Sequence, residues 1–166
     1  MTTAVAVGVV SLLATAPLSA QTCNTNPCTV AVTASATVNT ALQLTLSATT
    51  TDLGTPSVAD YNTGYKDAAG PTATVKSNTP WTLNVVGNTA TFSGSGGARA
   101  NKPAADLLWG KVAGTYANNM SAVAALNSGN GTLSSAQQIF FRTNWDYATD
   151  TPGTYSLVVN FTLSAP

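Results

Sequence analysis

Thr154-Tyr155-Ser156-Leu157-Val158-Val159-Asn160-Phe161-Thr162-Leu163-Ser164 is the stretch that decides the fold. Tyr155, Leu157, Val159, Phe161 and Leu163 fall on one side of an extended chain, and Ser156, Val158, Asn160, Thr162 and Ser164 on the other. A period of two marks a strand with one buried face, because successive side chains of a pleated backbone point opposite ways. The same period recurs upstream. Leu42, Leu44 and Leu46 alternate with Gln43, Thr45 and Ser47, and Trp81, Leu83 and Val85 with Thr82 and Asn84. Ile139, Phe141, Thr143 and Trp145 alternate with Phe140, Arg142, Asn144 and Asp146. Weaker strands are expected over 30–35, 89–93 and 106–111. Turn signals separate them at Asp52-Leu53-Gly54, Gly70-Pro71, Gly87-Asn88, residues 93–97, Asn130-Gly131 and Pro152-Gly153. Only residues 121–128, with Ser121 as N-cap, read as a helix, about two turns long. Short strands between such turns predict an all-β antiparallel sandwich.

Composition narrows the chemistry. The 166 residues carry six basic and six acidic side chains, 7% charged in all, well below the ~25% of ordinary soluble domains. His and Glu are absent, so His-based acid–base catalysis, Ser-His-Asp triads and His-containing zinc or haem sites are excluded. A net charge of zero gives no electrostatic case for nucleic acid, and none is expected as a partner. No catalytic, cofactor-binding or metal-ligating residue is identified, and the chain does not read as an enzyme.

The charges are also unevenly placed: Asp52 is the first, and residues 1–51 carry none. Residues 1–20 combine an apolar run with the small-residue site Leu18-Ser19-Ala20, the pattern of a secretory signal, although no Lys or Arg precedes the run. The alternative is an ordered apolar arm packed against something. As a membrane span the segment fails, since the run from 4 to 16 is too short and Pro17 ends it. Residues 21–48 then read as an uncharged arm with a small disulfide loop and the first strands, and 49–166 as the sandwich. Cys23 and Cys28 frame Asn24-Thr25-Asn26-Pro27, and downstream of an export signal a local disulfide is the expected state.

Candidate sites are few. Trp81, Trp109 and Trp145 are in phase with apolar neighbours and read as core, not as sugar platforms. Tyr61 and Tyr65, read as lying in one loop, are the better ligand candidates. The aspartates lack the spacing of a calcium loop and read as solvated turn residues. Residues 93–97 are glycine-rich without the Lys-Ser/Thr of a phosphate cradle and read as a flexible hairpin loop. Arg99, Lys102 and Lys111 are too scattered for an anion site. Three N-x-S/T sequons begin at Asn119, Asn130 and Asn160, as expected by chance in a chain rich in Asn and Thr.

The segment Asp150-Thr151-Pro152-Gly153-Thr154-Tyr155 resembles the tyrosine corner of immunoglobulin-like sandwiches, where a Tyr opening strand F bonds back to the upstream backbone. On that reading no strand G follows, which leaves an unpaired edge and an apolar groove. On the other, Tyr155 simply starts the last strand of a complete sandwich. The layout of export signal, uncharged arm, Thr/Ala/Gly-rich β domain and terminal Gly-x-Tyr strand resembles bacterial pilins and the spore coat U-like secreted proteins. It departs from chaperone–usher pilins in lacking their penultimate Tyr and in placing both cysteines in the arm. The resemblance implies a secreted, cell-surface structural subunit that self-associates by strand donation, with a periplasmic chaperone or assembly factor as a further partner. The acceptor would be the groove along Tyr155, Leu157, Val159, Phe161 and Leu163. The donor segment would be residues 4–13 if retained, or 30–38 if the signal is removed, and the candidate donor side chains are Val30, Val32, Leu42, Leu44 and Leu46. A monomeric module binding surface glycans through Tyr61 and Tyr65 is the alternative.

Overall fold

A computed structural model describes residues 22–166. The signal or arm reading of residues 1–20, and the donor reading of 4–13, lie outside the described residues. The chain divides into two units, Met1–Val38 and Asn39–Pro166. In the first, the described residues form no helix or strand, and the Cys23–Cys28 disulfide closes its small loop. The strand expected over 30–35 is therefore absent: Val30, Val32 and Val38 are 47%, 88% and 82% exposed. With no neighbouring strand, alternation alone cannot form a ladder, because every strand bond needs a partner.

The second unit is an all-β, sandwich-like fold of antiparallel strands. One sheet has the order β1 (Leu42–Leu46), β2 (Tyr65–Ser77), β8 (Thr132–Asn144), β5 (Leu107–Gly110), β6 (Asn118–Asn119). The second has the order β10 (Val159–Ser164), β3 (Trp81–Gly87), β7 (Ala124–Gly129). A ribbon of β4 (Ser93–Ser95) and β9 (Thr154–Ser156) adds a third, smaller sheet. The inner rows come from the two faces: Ala73, Val75, Leu107, Trp109, Ile139 and Phe141 from one, Trp81, Leu83, Val85 and Leu126 from the other. All three tryptophans are buried.

Several local expectations change. Residues 121–128 form no helix; β7 runs from Ala124 and pairs with β3, burying Leu126. Two turns of helix are marginal alone, and a strand that completes a sheet wins. The helix lies instead at α1 (Val58–Thr63), which Ser57 caps: its hydroxyl accepts from the Asp60 N–H, while the Asp60 carboxylate accepts from the Ser57 N–H. Gly70-Pro71 is not a turn but a bulge inside β2, where the register slips between Ala69 and Thr72. A Cβ on Gly70 would lie 2.5 Å from the Phe141 ring, so this position needs glycine. Residues 93–97 are not wholly loop, since Ser93–Ser95 pair with β9. Across 89–93 only an isolated bridge, Thr91 to Pro103, precedes that ribbon. The domain boundary falls after Val38 and not after residue 48, because β1 pairs along its whole length with β2.

Candidate functional site

The long terminal alternation is kept, but as two strands. β9 pairs with β4, β10 with β3, and Leu157-Val158 carry the chain between them. Tyr155, Leu157, Val159, Phe161 and Leu163 all pack on the core and all remain half-buried. Among the described residues β10 has no partner on its other side, and neither does β1. These two free edges bound the same side of the sandwich, with some of their Cα atoms within 8 Å.

A groove of about 590 Å³ lies there. Its floor is Phe92, Leu107, Phe141, Thr143 and Trp145; Tyr155, Leu157, Val159 and Phe161 form one wall; Leu46 and residues 48–56 form the other. Asp52 is the only charged residue in the lining. Such a groove can take an extended apolar segment whose main chain pairs with a free strand edge.

Tyr155 holds the base of this wall. Its hydroxyl accepts from the Arg99 N–H at 2.8 Å and donates to the Thr151 carbonyl at 2.7 Å, a back-bond to the upstream chain of the kind that one of the two readings of this segment describes. A charged cluster fixes the loop below it. Lys102 is fully buried, and its Nζ donates to Asp150 at 2.9 Å, Asp106 at 3.1 Å and the Asn144 carbonyl at 2.7 Å. Arg99 takes the other Asp150 oxygen at 3.2 Å, and the Lys102 ammonium sits 4.5 Å from the Trp145 ring centroid. Asp150 is thus a buried ion-pair partner and not a solvated turn residue. Sequence reading missed this cluster because the partners lie 48 positions apart and neither sits in a motif.

The other candidates separate. Leu42, Leu44 and Leu46 are committed to pairing with β2 of the same chain, with Leu44 opposite Val75, so they belong to the sandwich itself and are not a free strand. Val30 and Val32 lie in the exposed arm. Tyr61 and Tyr65 do not share a loop: Tyr61 is in α1 and Tyr65 opens β2. Tyr61 stacks on Tyr147 at 4.7 Å and lies 6.2 Å from Trp145. Burial, and then the nearby Asp150 charge, push its phenol above the usual range. Tyr65 lies under the Arg142 guanidinium, 3.5 Å from its ring centroid, with Tyr116 at 4.5 Å. Arg142 in turn grips Asp67 with two bonds of 2.7 and 2.9 Å, which hold that carboxyl below the usual range. Tyr65 therefore serves its own sheet. Tyr147, 62% exposed beside Tyr61, is the aromatic the sequence reading overlooked.

Among the described residues no group of three or more His, Cys, Asp or Glu could hold a metal ion. No helix among them is long and apolar enough to cross a membrane. No protein-family model, curated protein or solved structure matches the chain.

Proposed function

We propose that this chain is a secreted structural subunit of an extracellular fibre or surface coat. In this reading it is an incomplete immunoglobulin-like sandwich whose open edge takes a strand from the arm of a second copy. The observation that carries the reading is the row Tyr155, Leu157, Val159, Phe161 and Leu163, apolar yet left half-buried from β9 into β10, whose outer edge is unpaired among the described residues. The occupant argued for is residues 29–38 of the second copy. Val30, Val32, Ala34, Ala36 and Val38 share one face of an extended chain there, and no residue of the segment is charged. The groove is almost uncharged as well, so Asp52 is the one charge near the contact and the segment itself brings none to be desolvated. Three Val and two Ala side chains would contribute roughly 6–10 kcal/mol gross on burial. Ladder hydrogen bonds must help offset the ~4–15 kcal/mol cost of association.

The test is assembly of the full chain, followed by size-exclusion chromatography and negative-stain microscopy. Val32→Asp on the donor side and Phe161→Asp on the acceptor side should each abolish polymers, while circular dichroism still reports a folded β protein. Mixing the two variants should yield short oligomers, because each retains one good half of the contact. A wild-type chain that stays monomeric at high concentration, or polymers that survive both changes, would overturn the proposal.

A second reading, a monomeric glycan-binding module, draws support from Tyr147, exposed and stacked on the half-buried Tyr61. It requires sugar binding by a monomer, lost in Tyr147→Ala and unaffected by Phe161→Asp.

A further inference from the structure

The wall of the groove formed by residues 48–56 differs from every other part of the lining. The last ladder contact before it is the Ser47 N–H on the Thr72 carbonyl, and the next anchor is the Ser57–Asp60 cap of α1. Between these, among the described residues, no hydrogen bond ties the segment to either sheet. Its single internal bond runs from the Gly54 N–H to the Asp52 side chain, 2.7 Å, a turn with Gly54 at φ +74°. Glycine suits that position because its positive φ strains any residue with a Cβ. The segment reads Ala-Thr-Thr-Thr-Asp-Leu-Gly-Thr-Pro, and Leu53 is its one large apolar side chain and its one residue packed on the core.

The segment is also a poor fit to what lies nearby. Thr143 Oγ1 and Trp145 Nε1, both buried on groove-lining residues, have no hydrogen-bond partner among the described residues. The indole N–H lacks an acceptor oxygen, and the hydroxyl lacks a partner of either kind, a need that a backbone carbonyl would meet for both. Among the described residues, the outer edge of β2 from Tyr65 to Gly70 has no strand beside it either, because β1 reaches only Ala73. A strand lying in the groove would bring carbonyls and a regular row of side chains where the segment brings one leucine.

We infer that residues 48–56 are a resident plug of the groove, held by Leu53, which an incoming strand must displace. The inference rests on the strand-donation reading and concerns its regulation: the plug shields the apolar row in the free subunit and sets the threshold for assembly. An entering segment competes with one leucine and no ladder bonds, which favours exchange once a donor is present. The fraction of subunits with the plug out scales the apparent on-rate and affinity for the donor.

The experiment uses the full chain and a labelled synthetic peptide of residues 29–38. In stopped-flow binding, Leu53→Ala should raise the on-rate about tenfold and leave the off-rate within twofold, since roughly half a leucine's burial no longer opposes entry. Leu53→Cys gives a second measurement that does not depend on stability. Its thiol should react slowly with a maleimide in the free chain and at least tenfold faster with saturating peptide; the native cysteines are paired and silent. Peptide binding with an unchanged or slower on-rate in Leu53→Ala, or with thiol reactivity unchanged or reduced, overturns the plug and leaves strand donation standing. Failure of the peptide to bind any variant overturns both.

Discussion

At the β6–β7 edge Met120 donates its N–H to the Leu107 carbonyl at 3.0 Å and accepts the Gly87 N–H at 2.8 Å, while its side chain is wholly buried. One residue thus stitches the two main sheets together. At the β1–β10 edge, among the described residues, no main-chain bond joins the sheets. Leu44, Leu46, Leu157, Val159, Phe161 and Leu163 stay half-buried there, although they are as apolar as Leu126 or Trp109 opposite. Burial is therefore set less by the residue than by whether something covers it. A sandwich that closes one side by main-chain bonds and leaves the other to a loop has its best-sealed core at one edge and its half-buried apolar row at the opposite one.

Truncation should expose that asymmetry most strongly. Leu126→Ala leaves a cavity in a fully enclosed position and is expected to cost about 3–4 kcal/mol. Phe161→Ala removes a larger side chain from a half-open wall and should cost the monomer only about 1–1.5 kcal/mol, because solvent and the 48–56 loop can fill the gap. Urea unfolding of the monomers, at unchanged m-value, measures both. Equal losses would mean that the open edge is as well sealed as the closed one. In assembled material the order should reverse: Phe161→Ala would weaken the polymer more than Leu126→Ala.

This asymmetry also explains which features the sequence revealed. Alternation at Trp81-Leu83-Val85 and Ile139-Phe141 located strands because both edges of those strands have a paired neighbour. The same alternation at 30–35 failed because it encodes an apolar face without saying what lies against it. Tyr155 was legible because its back-bond spans four residues. Lys102–Asp150 was not, because only the fold brings those residues together. Leu53 looked like a turn residue beside Gly54, which it is; nothing local shows that it also reaches the core. The α1 cap was present as Ser57-x-x-Asp60 but was obscured by reading Tyr61 to Tyr65 as loop.

Tyr155 sharpens the comparison at the next level of effect. Tyr155→Phe keeps the ring against Trp145, 5.4 Å away in an edge-on arrangement, and deletes both hydroxyl bonds. The Arg99 N–H and the Thr151 carbonyl lose a partner, at about 1–2 kcal/mol in the monomer. Because the bond anchors the start of the open wall, amide exchange should quicken along β9 and β10 and stay unchanged along β7. Uniform quickening across both edges would show that the corner supports the whole sandwich and not its open side.

The smallest effect comes from a pair that belongs to neither edge. Asp67 and Arg142 stand opposite one another on β2 and β8, in the middle of the larger sheet. The Arg142 bonds lower the Asp67 pKa below its ordinary value, against a weaker opposing effect of partial burial. A depressed carboxylate pKa means that folding favours the ionised form. The stabilisation is therefore complete above the unfolded-state pKa of ~4 and is lost as pH falls through the lower folded-state value. With 39% of the Asp67 side chain still exposed, screening keeps the contribution below about 1 kcal/mol. Asp67→Asn should thus be slightly less stable than wild type at pH 7, and the gap should close as the solution is acidified below pH 4. Chemical unfolding at pH 7, 4 and 2.5 reads this directly. Polymer yield at pH 7 should not change at all, since this pair lines no part of the groove; a drop in yield would show that the two edges are coupled through the centre of the sheet.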